Sequence, residues 1–172
     1  MNSVLRKLVD ELYPDQSLRR NPAVETAELL SFMVRVSGAA RVVEIGTGNG
    51  SSAIWLADAV RATGGHLTSV DAADPTEAVV NLARAGLGNL VTFEVADGGE
   101  YLRRLPDESV DLLFLDAERT RYPDWWPEPR RVLRPGGILA VGNERPGAVT
   151  PITEDPQLEV VGSGLLLARR TP

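Results

Sequence analysis

The chain has 172 residues, 43% of them hydrophobic types, which is enough for one domain with a real core; its 16 glycines and 12 prolines are spread between apolar runs as turn punctuation. With 24 acidic against 18 basic residues the formal net charge is -6, which argues against nucleic acid as a partner, because phosphate binding needs a basic surface. The lack of cysteine excludes disulfides and thiol nucleophiles, no apolar run reaches the roughly 18 to 20 residues of a membrane helix, and the charged start lacks the apolar stretch of a secretory signal, so a cytoplasmic protein without a membrane partner is expected.

In chain order, the first segment sets Val4, Leu5, Leu8, Val9 and Leu12 at helical spacing over residues 2 to 12 and stops at Tyr13-Pro14, which predicts a short amphipathic helix. A second helix is predicted from Ala23 to Val36, with Leu29, Leu30, Met33 and Val34 on one side and Gly38 as its stop. From residue 41 short apolar runs alternate with helical stretches, the signature of a parallel sheet with crossover helices. The runs are Arg41 to Ile45, His66 to Val70, Leu90 to Val95, Val110 to Leu115 and Gly137 to Val141. Helices are predicted between them over Ser51 to Arg61, Pro75 to Ala85, Gly99 to Leu105 and Asp124 to Leu133. At Asp74-Pro75-Thr76-Glu77 the aspartate can cap, the proline suits the first helical position and the glutamate can reach back. Residues 144 to 156 carry Pro146, Pro151 and Pro156, too many breaks for a helix, and beyond them Leu158 to Val161 and Leu165 to Arg169 flank Gly162-Ser163-Gly164 as an antiparallel hairpin at the sheet edge. Arginine pairs at Arg19/Arg20, Arg103/Arg104, Arg130/Arg131 and Arg169/Arg170 are scattered, as solvated helix and strand ends are, and do not form one patch.

Residues 41 to 60, RVVEIGTGNGSSAIWLADAV, join a strand, an acidic residue, a glycine loop and a helix. Gly46, Gly48 and Gly50 let the backbone turn sharply and a ligand approach it closely, and the helix start at Ser51 and Ser52 offers amides to an anion. A nicotinamide-binding loop has the same layout. Two features point elsewhere: Glu44, immediately before the loop, would face a pyrophosphate badly but suits the cationic, amino-bearing end of a sulfonium cofactor, and a terminal hairpin is not how a dinucleotide fold normally closes.

The segment VVEIGTGNGSSAIWLA resembles the first motif of class I S-adenosylmethionine-dependent methyltransferases, in particular small-molecule O-methyltransferases of the catechol and caffeoyl-CoA type. The likeness continues through TSVDAADPTEAVVNLARAGLGNLVTFEVADG, VDLLFLDAERTRYPDWWPEPRRVLRPGGILAVGN and SGLLLARR, about three quarters of the chain. It implies an α/β, Rossmann-like, doubly wound sheet of seven mostly parallel strands with an antiparallel C-terminal hairpin and helices on both faces. It also implies a single domain over 1-172, with N-terminal helices 1-38 covering the active site and a cofactor-binding core over 40-172. The implied reaction moves a methyl group from S-adenosylmethionine to a hydroxyl of a small-molecule acceptor and leaves S-adenosylhomocysteine.

Carried over by position, Glu44, Gly46, Thr47, Gly48 and Ser52 line the methionine part of the cofactor, Asp71 with Ala72 meets the ribose hydroxyls, and Asp97 with Gly98 lies beside the adenine. Read without the family, Asp71 and Asp97 would each cap the helix that follows. Asp116 ends the run VDLLFL, at the carboxyl edge of a central strand where open α/β sheets place ligands, and is both the foremost catalytic candidate and one of the expected cofactor residues.

In the catechol-type family this position ligates a metal, a lysine three residues later assists deprotonation, and an Asp-Asn pair after the fifth strand completes the metal site. Here the lysine position holds Arg119 and the pair has become Gly142-Asn143, so one carboxylate ligand is missing. Asp116 and Asn143 alone would hold a divalent cation weakly unless Glu118 or Glu144 joined them, and no functional metal is expected. Arg119 stays protonated and cannot act as a base, although it could clamp an anionic substrate; Asp116, Glu118 or Glu144 would take the proton. His66, at the remote end of the second strand, reads as structural, and Trp125, Trp126 and Tyr122 read as core or interface residues before an aromatic wall.

Relatives carry another helix where this chain has the proline-broken stretch Glu144 to Gln157, so one sheet face should be covered by the N-terminal helices or by a second subunit, and a homodimer is expected. Two rival functions remain at this stage: a protein that binds the cofactor or its product without transfer, and a dinucleotide-dependent oxidoreductase.

Overall fold

The apolar runs form the strands of one seven-stranded sheet because each is short and bounded by turn residues, and those at its centre are buried on both faces. The computed structural model describes residues 3-12, 24-142, 149-162 and 165-171. Two helices come first, α1 (Ser3–Leu12) and α2 (Val24–Ser37). They are followed by β1 (Arg41–Ile45), α3 (Ser51–Thr63), β2 (His66–Asp71), α4 (Thr76–Arg84), β3 (Val91–Val95), α5 (Gly98–Arg104) and β4 (Val110–Leu115). The second half holds α6 (Tyr122–Trp125), α7 (Glu128–Val132), β5 (Leu133–Gly142), α8 (Thr150–Thr153), β6 (Leu158–Gly162) and β7 (Leu165–Arg170).

The strand order is β3-β2-β1-β4-β5-β7-β6. β1 pairs in parallel with both β2 and β4, so the chain winds outward in opposite directions from β1, and β7 alone runs against its neighbours β5 and β6. That reversal of winding opens a crevice at the carboxyl ends of β1 and β4. The expected sheet, its mostly parallel sense and its C-terminal hairpin are all present.

Alternation along each strand divides the core in two. Leu112 and Phe114 of β4 pack with Ile54 and Leu56 of α3 and with Leu30 and Val34 of α2, while Leu113 and Leu115 pack with Leu102 of α5, Trp125 of α6 and Val132 of α7. Each of these leucines is fully buried, and burial of such a side chain is worth about 1.5 to 3 kcal/mol. α2 is tied to α3 by Arg35, whose Nη2 donates to the buried Asp58 carboxylate at 2.7 Å, with Arg61 on the same carboxylate. Of the arginine pairs, Arg130, Arg131, Arg169 and Arg170 are spread over separate carboxylate partners and form no basic patch.

Four expectations need correction. The helix expected over 124 to 133 is divided into α6 and α7, because Trp126 precedes Pro127, which holds it extended (ψ 136°). α4 begins at Thr76, so Pro75 takes the cap position, and Asp74 accepts a hydrogen bond from the Thr76 amide at 2.8 Å. β5 starts at Leu133 instead of residue 137: Leu133 pairs with Val110, and the Pro135-Gly136-Gly137 stretch is absorbed as a bulge before Ile138 pairs with Leu112. The proline-broken segment does contain a helix, α8, with Pro151 in its first turn, where proline is tolerated. Ile152 of α8 is buried with Leu158, Leu166 and Ala168, so this short helix completes the cover that α5, α6 and α7 give one sheet face, while α1 and α2 lie on the opposite face.

Candidate functional site

The cleft is built on a turn that only glycine permits. Gly46 has φ 109°, and a Cβ placed there would run into the Asp116 backbone carbonyl, where the ends of β1 and β4 meet. Gly50 has φ 84°, and its Cβ would lie 2.9 Å from that of Ala78 on α4. Between them the turn is held by neighbours: Gly50 N donates to Thr47 O at 2.9 Å, Asn49 Oδ1 accepts from Ser51 N at 3.1 Å, and Asn81 of α4 donates to Asn49 O at 2.9 Å.

Asp71, at the end of β2, is the principal clamp. Its Oδ2 accepts from the amides of Thr47 at 2.9 Å and Gly48 at 3.2 Å, and its Oδ1 accepts from Ala73 at 2.9 Å. A carboxylate offers about four acceptor positions, so these three amides leave one on Oδ1.

The cleft has a volume of about 330 Å³, and its polar rim consists of Asp71, Asp97, Asp116, Glu118 and Arg121, at the lower end of the range typical of small-ligand sites. Its walls are Ile45, Val70, Ala72, Ala96, Ala117 and the ring of Trp125. Seven of the expected cofactor residues therefore meet here: Gly46, Gly48, Asp71, Ala72, Asp97, Gly98 and Asp116. Asp97 also caps α5, its Oδ1 accepting from Glu100 N at 3.0 Å, and its Oδ2 pairs with Arg121 Nη2 at 3.0 Å, so the capping and cleft roles coexist.

Glu44, Thr47 and Ser52 are placed differently. All three are buried behind the turn and do not line the cleft. Ser69 donates to Glu44 Oε2 at 2.6 Å, and the hydroxyls of Ser69 and Thr47 are 2.7 Å apart, so a buried relay joins the Glu44 carboxyl to the turn. Burial pushes the Glu44 carboxyl up to about 7, against the hydrogen bonds of Ser52 and Ser69, and the carboxylates of Asp116 and Asp71 raise it further.

Asp116 follows β4, its amide bound to Ile45 O at 2.9 Å. A Cβ at Gly142, at the end of β5, would lie 2.6 Å from Asp116 Oδ1. Where the resembling family has a second carboxylate, this chain has the glycine that leaves room for the first. Among the described residues no group of three or more histidine, cysteine or acidic side chains could hold a metal. Asn143 and Glu144 lie outside the described residues, as does the side chain of Arg119, whose backbone forms a short 3-10 turn with Thr120 and Arg121.

One cleft residue was not legible as such, and a second, Trp125, was read as core before wall. Arg121 gave no signal, since it meets Asp97 only through folding across 24 positions. Trp125 is both core and wall: it is 3% exposed, and a Cβ at Gly98 would press on its ring and on Ile45. The consecutive glycines Gly98-Gly99 were the available sign that something large packs there. Tyr122 is a core residue whose hydroxyl accepts from Ala117 N at 2.9 Å and donates to Ala117 O at 3.2 Å, fixing the turn after Asp116. His66 is exposed at the opposite end of β2, with Nε2 2.9 Å from Thr92 Oγ1.

An open, doubly wound sheet with a glycine turn and strand-end carboxylates around its crevice defines a nucleotide-type ligand-binding α/β protein. The model of the methyltransferase domain matches residues 43-143. A provisionally named O-methyltransferase of Mycobacterium sp. (strain JLS) is 35% identical over 174 aligned positions, covering 87% of this chain and 78% of that protein. With other mycobacterial relatives of the same name the match spans 54% of their length. The chain belongs to the methyltransferase family, among its class I O-methyltransferases. In fold it is similar to the O-methyltransferase TomG of Streptomyces achromogenes, involved in tomaymycin synthesis and solved with S-adenosylmethionine (TM-score 0.77, 23% identity, 100% of this chain and 91% of that one). It is equally similar to an O-methyltransferase of Bacillus cereus solved with S-adenosylhomocysteine (TM-score 0.79, 20% identity, 100% and 92%).

Proposed function

We propose that this chain binds S-adenosylmethionine in the cleft and transfers its methyl group to a hydroxyl of a small molecule without a metal. The observation that carries this reading is the turn at Gly46 to Gly50, clamped by Asp71, opening on the same cleft as Asp116. The residues fit such a ligand: a backbone cradle that a side chain would fill, apolar walls at Ile45, Val70 and Ala96, and a rim of carboxylates suited to positive charge.

When bound, the cofactor supplies an activated methyl on a sulfonium, open to in-line displacement. The chain's own work is then alignment and proton removal. Gly46 and Gly48 admit the methionine end against the backbone, with Thr47, Ser52 and Glu44 supporting the turn from behind. Asp71 receives the ribose at its remaining acceptor, Ala72 lies beside it, and Asp97 with Gly98 borders the adenine. Asp116 takes the proton from the acceptor hydroxyl, with Glu118 and Glu144 as further acidic groups, while Arg119 and Arg121 offer charge to an anionic acceptor.

We take 1-172 as one domain, with the N-terminal helices closing the active site, acting in the cytoplasm. No described helix is long and apolar enough to cross a membrane. A homodimer is proposed through α2, whose Leu29, Phe32 (58% exposed) and Val36 (66%) form an apolar stripe at i, i+3 and i+7. A light-scattering mass of one chain at micromolar concentration overturns that assembly.

Calorimetry with S-adenosylhomocysteine and with NAD separates the cofactor reading from an oxidoreductase. A screen of hydroxylated acceptors, followed by conversion of cofactor, separates an enzyme from a binding protein. Binding of NAD but not of S-adenosylhomocysteine sinks the proposal.

A further inference from the structure

The reaction outlined above does not use the ionisation of Glu44, yet among the described residues no cation neutralises that group. It is 0% exposed, and its Oε1 is buried without a hydrogen-bond partner. The elements packed around it supply two hydroxyls, from Ser69 on β2 and Ser52 on α3, and two charged groups, Asp71 at the end of β2 and Asp116 after β4. Both charged groups are carboxylates. Three acids thus converge behind and beside one glycine turn with no cation acting on the innermost, an arrangement in which a buried carboxyl retains its proton. The relay through Ser69 and Thr47 ends on the turn whose amides Asp71 holds, so the charge state of Glu44 is felt where a ligand enters.

We propose that Glu44 is protonated in the ligand-free chain and releases its proton to solvent when a cationic adenosyl ligand occupies the cleft, so that cofactor binding is coupled to deprotonation of this residue. The inference rests on the cofactor assigned under the proposed function. The ligand's positive charge balances the carboxylate that its arrival creates behind the turn. The linkage has a fixed sign: the ligand lowers the carboxyl's proton affinity, so binding tightens as pH rises through the free group's titration near 7 and levels off above it. In the interval where one full proton is released, affinity changes about tenfold per pH unit. Glu44 is in this sense a positioning residue, acting on the ligand through field and loop.

The test is calorimetry of S-adenosylmethionine binding between about pH 6 and pH 7, below the range where an α-amino group itself titrates, in two buffers of different ionisation enthalpy. The expected result is release of up to about one proton per site and an affinity rising by several-fold to tenfold, with Glu44→Gln binding the ligand but releasing none. On the unmodified chain, difference infrared spectroscopy should show a carboxylic-acid carbonyl band lost on adding ligand, a readout that stands even if the variant fails to fold. Binding with no proton release, or release and band loss unchanged in Glu44→Gln, overturns this inference and leaves the cofactor reading intact. No binding of S-adenosylmethionine at any pH overturns both.

Discussion

The two halves of the cleft are built under different constraints. On the side formed by β1, the glycine turn, α3 and β2, backbone meets backbone: Gly46 abuts the Asp116 carbonyl, and Asp71 consumes three of its four acceptor positions on main-chain amides. On the side formed by the ends of β4 and β5, side chains fill the space instead. Gly142 faces the Asp116 carboxylate, Trp125 leans on Gly98 and Gly99, and Arg121 reaches Asp97 from an irregular turn. The first half can hardly change without unfolding, whereas the second can exchange ligands, bases and substrate contacts on an intact scaffold. This difference explains how a chain can keep the glycine turn while lacking a carboxylate that the catechol-type family carries.

The same substitution on the two sides is the sharpest way to break that comparison. Gly46→Ala must displace a strand-end backbone and adopt a φ of 109°, which together should cost at least about 3 kcal/mol; little folded protein is expected by circular dichroism. Gly142→Ala meets side chains first, the Asp116 carboxylate and the Phe114 ring at 3.4 Å, so the melting temperature should fall by a few degrees at most while turnover suffers. Equal loss of fold in both variants removes the distinction.

Asp116→Asn should reduce turnover by about 10² to 10⁴-fold, the range for a general base, with S-adenosylhomocysteine affinity nearly unchanged in calorimetry. An undiminished rate assigns the proton to another group. Next in size is a stability effect of Glu44. Its carboxyl is raised from 4.5 to about 7, so the folded chain favours the neutral form, and the stability contributed below about pH 4.5 is lost as pH rises to about 7. The full effect is on the order of 3 kcal/mol, and denaturant unfolding of the ligand-free chain at pH 5 and pH 8 should show that difference diminished in Glu44→Gln.

Asp71→Ala should weaken S-adenosylhomocysteine about 10 to 100-fold, since it removes an acceptor and frees the Thr47 and Gly48 amides. The smallest effect is expected from chelation: EDTA should alter turnover little, and an abrupt loss of activity would restore a metal to the mechanism.

Periodicity and composition by themselves determined the strands, most helices, the hairpin and the glycine turn, because these follow from local patterns of apolar residues, glycine and proline. They also marked Asp116, since an acid that ends an apolar strand must emerge at the carboxyl edge, whereas Asp71 and Asp97 were assigned to the cofactor through the resemblance. Only the tertiary structure decided that Glu44, Thr47 and Ser52 stand behind the turn, that Arg121 and Trp125 complete the cleft, and that α8 completes the cover of the second face. Those outcomes depend on which atoms compete for the same space across distant parts of the chain, and spacing along one dimension carries no record of that competition.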